Sequence, residues 1–213
     1  FSGDQNFLGN FSNAEAFNNS GILRRDGTGS ASTANVTFNN AATGAIQVVN
    51  GTLRLDSGGE MLGATFDVAA GATLNLAGIN QTWTGTFVGT GGGIISHNSG
   101  TISAGPGGAV LAFAEGLFQI DADPNLSGGV FTNVNSLAIV GGHPNLNATL
   151  NNMGTVVQSG GRLDFFQGTP TVNNIGLWEV NMPATGDFLG NFSNPVAFNN
   201  SWWLPGVGGG EGC

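Results

Sequence analysis

The side chains that could do chemistry in this sequence are few and scattered. Carboxylates fit for general acid–base work stand singly at Asp26, Asp56, Glu60, Asp67, Glu115, Asp164, Glu179 and Asp187. A polysaccharide lyase or hydrolase needs such groups clustered with each other, or with Arg, Lys or a metal, on one face. Two Arg-Leu-Asp triplets, Arg54 to Asp56 and Arg162 to Asp164, lie 108 residues apart. In a strand, alternation puts the Arg and the Asp of each triplet on the same side, which predicts two exposed ion pairs worth under about 1 kcal/mol each. Asp121-Ala122-Asp123-Pro124-Asn125 opens like a calcium loop, but Leu126 stands where the turn glycine belongs and Thr132 where the closing Glu belongs. That segment reads as a loop bonded to its own backbone. His97, His143 and the lone Cys213 supply neither a zinc set nor an internal disulfide. No Ser or Cys pairs with a base at readable spacing. The expectation is no catalytic residue, no metal and no cofactor.

The elements that hold these residues must be built from an unusual composition. The 213 residues, 21.5 kDa, are 40% hydrophobic with a mean hydropathy of +0.10, enough to bury a core. Only 8% are charged, against about 25% in ordinary domains, and 38 are Gly. Hydroxyls and amides must therefore solvate the surface. Thirteen acidic against four basic residues, net −9, remove the electrostatic attraction that dominates binding to nucleic acid and anionic lipid. No apolar run approaches the roughly 20 residues that cross a bilayer, so no membrane insertion is expected. The sequence opens at Phe1 without a charged-then-apolar leader, as in a mature chain or an excised fragment.

Repetition organises the rest. Phe17 to Phe38, Leu53 to Leu74 and Leu55 to Leu76 are each 21 residues apart, and the same step carries Phe66 to Phe87 and Leu74 to Ile95. Further on, Asn133, Asn152 and Asn174 follow at steps of 19 and 22, and Leu137, Val156 and Leu177 at 19 and 21. Within each unit apolar residues alternate over short runs, such as Ile46 and Val48 or Leu163 and Phe165, the mark of half-buried strands. Asn-Gly, Gly-Gly and Ser-Gly steps bound these runs with residues that tolerate tight corners. Ala109 to Gln119 is the longest stretch of helix formers, and it lacks a helical stripe. Short strands at a fixed period predict an all-β parallel β-helix, or β-solenoid, of about nine coils of about 21 residues. Like side chains would stack on like, and the pairs Asn18-Asn19, Asn39-Asn40, Asn151-Asn152, Asn173-Asn174 and Asn199-Asn200 would form amide ladders at the corners. Residues 1–204 are expected as one solenoid domain and 205–213 as a flexible Gly-rich tail.

The repeat units Phe-Asn-Asn-Ser-Gly-Ile-Leu (17–23), Val-Asn-Gly-Thr-Leu-Arg-Leu-Asp-Ser-Gly-Gly (49–59) and Val-Ala-Ala-Gly-Ala-Thr-Leu-Asn-Leu-Ala-Gly (68–78) resemble those of bacterial secreted β-solenoid proteins. The likeness is to the filamentous haemagglutinin-like and autotransporter passenger type and spans most of residues 15–180. It implies an extracellular stalk, filament subunit or adhesin at the cell surface, with no catalytic site to carry over. A longer repeat joins the two ends: Phe7-Leu8-Gly9-Asn10-Phe11-Ser12-Asn13 returns at 188–194 and Phe17-Asn18-Asn19-Ser20 at 198–201, an offset of 181. Ends that look alike suggest stacking end to end, or covalent continuation in a longer array, with Phe7, Phe11, Phe188, Phe192, Trp202 and Trp203 as the buried anchors. The competing expectation is a carbohydrate-binding or polysaccharide-degrading β-helix of tailspike or lyase type. It requires an exposed groove lined by Trp83 or Trp178 with carboxylates nearby. Surface glycans are partners under either reading.

Overall fold

A computed structural model of the chain describes residues 5–6, 16–33, 36–183, 187–192 and 196–201. The first coils contain β1 (Gln5–Asn6), β2 (Ala16–Asn19), β3 (Ile22–Ser32), β4 (Thr37–Asn40), β5 (Ala45–Leu55), β6 (Gly59–Met61), β7 (Ala64–Val68) and β8 (Thr73–Leu76). The middle contains β9 (Ile79–Thr90), β10 (Ile94–His97), β11 (Gly100–Phe113) and β12 (Phe118–Ile120). The last coils contain β13 (Asn125–Asn133), β14 (Ser136–Ile139), β15 (Asn145–Asn152), β16 (Thr155–Gln158), β17 (Leu163–Phe165), β18 (Thr171–Asn174), β19 (Leu177–Val180), β20 (Leu189–Phe192) and β21 (Ala197–Asn200).

Every pairing among them is parallel, and the pairings resolve into three sides of a prism. Face I stacks β2, β4, β6, the first halves of β9, β11, β13 and β15, then β17 and β20. Face II stacks the first halves of β3 and β5, then β7, the second halves of β9, β11, β13 and β15, then β18 and β21. Face III stacks β1, the second halves of β3 and β5, then β8, β10, β12, β14, β16 and β19. Among the described residues this makes eight three-sided coils from β2 to β19, with β20 and β21 as two sides of a ninth. The solenoid read from the period is the fold.

One coil has no interior of its own, so the core is made by stacking. Inward residues alternate with outward ones along each strand, and a continuous buried column runs from Phe38 to Val172. The period reads correctly at most landmarks: Phe17 pairs with Phe38, Leu53 with Leu74 and Leu74 with Ile95. It misreads two. Phe66 lies over Gly89, not Phe87, and Phe87 lies over Ala64. The 21-residue step is off by two here, which keeps both rings inward and sets a large side chain against a small one. A methyl on Gly89 would collide with the Phe113 ring and with Leu117, so the glycine is the space these neighbours fill. Leu177 is likewise not the partner of Val156. Trp178 is, and Leu177 faces out.

Candidate functional site

Three features of the structure gather polar or exposed apolar side chains: the corner ladders, a carboxylate-flanked groove on face III, and the last described coils at the C-terminal side.

The corner ladders follow from a local rule. At the corner after β2, Asn19 turns inward and its amide donates to Asn40 Oδ1 (2.8 Å) and to the Ala45 carbonyl in the coil above (3.1 Å). After β13 and β15 the same arrangement recurs. Asn133 donates to Asn152 (2.7 Å) and to the Thr155 carbonyl (2.9 Å), and Asn152 donates to Asn174 (2.6 Å) and to the Leu177 carbonyl (2.9 Å). Asn174 continues to Asn200 at 2.7 Å. An outer ladder runs beside it, from Asn199 to Asn173 (2.8 Å) and from Asn173 to Asn151 (2.9 Å), and Asn39 donates to Asn18 likewise (2.8 Å). The expected ladders exist, but on different corners. The Asn19 and Asn40 pair closes face I, whereas Asn133 to Asn200 closes face II. The identical segments Ala16–Asn19 and Ala197–Asn200 therefore occupy neighbouring sides of the prism.

The ion pairs divide in the same way. Arg54 and Asp56 meet at 3.2 Å on face III with the Arg half exposed, as alternation predicts. Asp56 also accepts a short bond from Ser32. Arg162 and Asp164 depart from the expectation of an exposed pair. Asp164 is 1% exposed and accepts from Arg162 Nε at 2.6 Å and Nη2 at 3.1 Å. β20 covers it, because Gly190 pairs with Asp164 and has no side chain to push Arg162 away. The hydrogen bond to Asp164 holds the Arg162 pKa above its already high ordinary value. The two triplets lie on faces III and I, so they form no common site. A third pair, Arg24 with Asp26 at 3.3 Å, is exposed. Bonds from Asn50 and then Arg24 hold Asp26 below the usual carboxylate range. In the Asp121 segment, Asp121 Oδ1 accepts from the Ala122 N–H (2.8 Å) and Asp123 Oδ1 from the His143 N–H (2.7 Å). Both carboxylates are thus tied to backbone, with Ala122 itself left-handed at φ 59°.

His97 is fully buried in β10, its Nδ1 3.3 Å from the Leu76 carbonyl and its Nε2 3.4 Å from the Asn125 carbonyl. Burial pushes its pKa below the ordinary histidine value. Among the described residues no group of three His, Cys, Asp or Glu side chains is placed to hold a metal ion.

The tryptophans separate. Trp83 is fully buried between Phe87 and Phe66, with its indole N–H on Gln81 at 3.0 Å. It lines no surface groove. Trp178 borders a cavity of about 630 Å³ beside the last described coils, walled by Ile175, Leu177, Val180, Phe188 and Phe198 together with Asn174, Asn200 and Ser201. Among the described residues no carboxylate borders it. A second groove of about 460 Å³ on face III has Glu115 and Glu179 at its margins, with Ser136, Thr155, Val157 and Leu177 between them. Of the proposed end anchors, Phe188 is half-exposed and meets Phe198 edge-on at 6.3 Å. Phe192 ends β20, and its side chain lies outside the described residues, as do Phe7, Phe11, Trp202 and Trp203 and the 205–213 tail.

No family model matches the chain, and no curated protein or solved structure matches it significantly. The fold is a β-solenoid. What such a rod does here rests on its own surfaces. The exposed apolar ladder Val134, Met153 and Ile175, one residue beyond each buried Asn, is the feature that sequence reading missed. The signal was present, since all three follow the repeating Asn by one position.

Proposed function

We propose that this chain is a structural segment without catalytic activity: an extracellular bacterial rod that serves as stalk, filament subunit or adhesin and extends by stacking end to end or within a longer array. The observation that carries this reading is the contrast between flank and end. Along the flank the described coils are hydrogen-bonded to their neighbours over a buried apolar core. At the C-terminal end β19 has a paired strand on one side only among the described residues, and apolar side chains border the cavity beside it. An unpaired parallel edge over an apolar end is what another coil requires.

Two further features support it. Arg24, Arg25 and Arg54 lie within strands, Arg162 stands directly before β17 with its side chain on Asp164, and the chain has no Lys, so trypsin-like proteases meet few sites. The carbohydrate reading needed an aromatic platform beside carboxylates, and Trp83 is in the core while the Trp178 cavity has no carboxylate on its wall among the described residues.

Electron microscopy of the purified chain, with sedimentation over a concentration series, tests the proposal. Rods that lengthen with concentration are expected. Isolated particles at all concentrations, together with turnover of an acidic or neutral polysaccharide that Asp164→Ala abolishes, would overturn it.

A further inference from the structure

The two amide ladders at the Asn-Asn corners run in opposite directions. In the inner ladder each Asn donates to the coil above it: Asn19 to Asn40 at 2.8 Å, and Asn174 to Asn200 at 2.7 Å. In the outer ladder each Asn donates to the coil below: Asn39 to Asn18 at 2.8 Å, and Asn199 to Asn173 at 2.8 Å. A carboxamide carries one acceptor oxygen and one donor NH2, so a directed ladder ends in an unused acceptor on one side and an unused donor on the other. Inside the rod this shows at Asn133, the lowest member of its inner ladder, whose Oδ1 is buried without a hydrogen bond among the described residues.

The same rule fixes what the first and last Asn pairs leave over. The last pair turns the Asn200 NH2 upwards on the inside and the Asn199 oxygen upwards on the outside. The first pair turns the Asn19 oxygen downwards on the inside and the Asn18 NH2 downwards on the outside. Donor would meet acceptor in both places. The backbone matches as well, since β2 pairs only with β4 and β21 only with β18 among the described residues, leaving the lower edge of one and the upper edge of the other unpaired. Both strands read Ala-Phe-Asn-Asn. In the register that joins β18 to β21, Phe17 would lie on Phe198 as it already lies on Phe38, stacked at 5.8 Å. Neither strand carries a charge, so two chains of net charge −9 could meet here without opposing carboxylates.

We propose that a second copy of this chain stacks its β2 on β21, with Asn200 Nδ2 donating to Asn19 Oδ1 of the second copy and Asn18 Nδ2 of the second copy donating to Asn199 Oδ1. The inference rests on the end-to-end reading above and gives it a register. Because β2 lies on face I and β21 on face II, the second copy is turned by one side of the prism, which brings its β1 from face III over β20 on face I. Such a head-to-tail contact does not close on itself, so its repetition makes a rod.

The test is sedimentation of the full chain carrying Asn18→Asp or Asn200→Asp, with far-UV circular dichroism to show that each keeps its fold. Either Asp retains the oxygen that accepts from its own ladder, from Asn39 or from Asn174, and loses the NH2 meant for the second copy. Each variant alone is expected to associate at least about tenfold more weakly than the unaltered chain, because a carboxylate then faces an oxygen across the contact. Mixed in equal amounts, the two should form dimers and stop there, since the intact Asn199-Asn200 end of one still fits the intact Asn18-Asn19 end of the other. Rods of unaltered length from either variant would overturn this register while leaving end-to-end stacking in place. Folded variants that give no dimer when mixed, although the unaltered chain forms rods, would overturn it too. An unaltered chain that stays monomeric at every concentration would overturn both the register and the stacking.

Discussion

The middle of the rod and its C-terminal third solve the same packing problem with different chemistry. In the middle, Phe66, Trp83, Phe87, Phe113 and Phe118 fill the interior, with Trp83 and Phe87 stacked at 4.2 Å and Phe113 and Phe118 at 4.8 Å. Large side chains there sit over small ones, as Phe66 does over Gly89. In the C-terminal third, core side chains such as Leu150 and Val172 are slimmer, and the corner is held by the Asn133 to Asn200 ladder, in which like sits on like. The difference teaches that a three-sided coil does not dictate its filling. Where several rings share the interior, as in the middle, they need offset and space and strict repetition is lost, whereas the single Phe17 and Phe38 pair stacks in register at 5.8 Å. An amide that both donates and accepts needs an identical neighbour above, so repetition is kept where it forms a ladder.

Substitutions at the two kinds of core should separate these mechanisms. Trp83→Ala removes the largest buried ring and strands Gln81, and is expected to cost about 3–5 kcal/mol in urea unfolding. A loss below about 1 kcal/mol would mean that the aromatic centre is not what stabilises the rod. Asn152→Ala takes away a donor to Asn174 and Leu177 and an acceptor for Asn133, and each buried group left unpaired costs about 1–3 kcal/mol. Asn152→Leu, apolar and of similar size, should be no better, because the neighbouring amides lose their partners either way.

The pH dependence should arise in the middle coils. His97 is buried and its folded pKa lies below its unfolded value, so the unfolded chain binds the proton more readily. Stability is full above the ordinary histidine pKa of about 6.5 and falls as pH drops below it towards the folded value. Urea midpoints at pH 8 and pH 5 should differ in that direction, and His97→Gln should flatten the part of the change that lies near pH 6. The smallest effect belongs to the outer ladder. Asn173→Ala breaks an exposed bond from Asn199 and a part-buried bond to Asn151, and is expected to cost under about 1 kcal/mol. A cost equal to that of Asn152→Ala would erase the distinction between inner and outer ladders.

Strands, corners and the stacking of coils were legible before any coordinates, because each depends on a few neighbouring residues. Alternation marks the strand, and Asn followed by Gly marks the corner. Phe188 lines the cavity beside Trp178, but the sequence carried no sign of that cavity, because its walls come from β19 and β21 and the corners beside them. The exposed Arg54 and Asp56 pair was read from alternation, but the buried Asp164 was not, because what buries it is Gly190, 26 positions away. Trp83 carried no sign of whether it lined a groove or filled the core, as an indole serves either.

The sequence by itself determined that this chain is a β-solenoid and where its coils bend, since period and corner chemistry are local and repeat. Only the tertiary structure decided the phase. Whether Ala-Phe-Asn-Asn closes face I, as at 16–19, or face II, as at 197–200, depends on how many residues each intervening coil has spent on its corners. Those corners vary in length because the side chains they must pass over vary in size, and that sum is settled by packing across the whole stack.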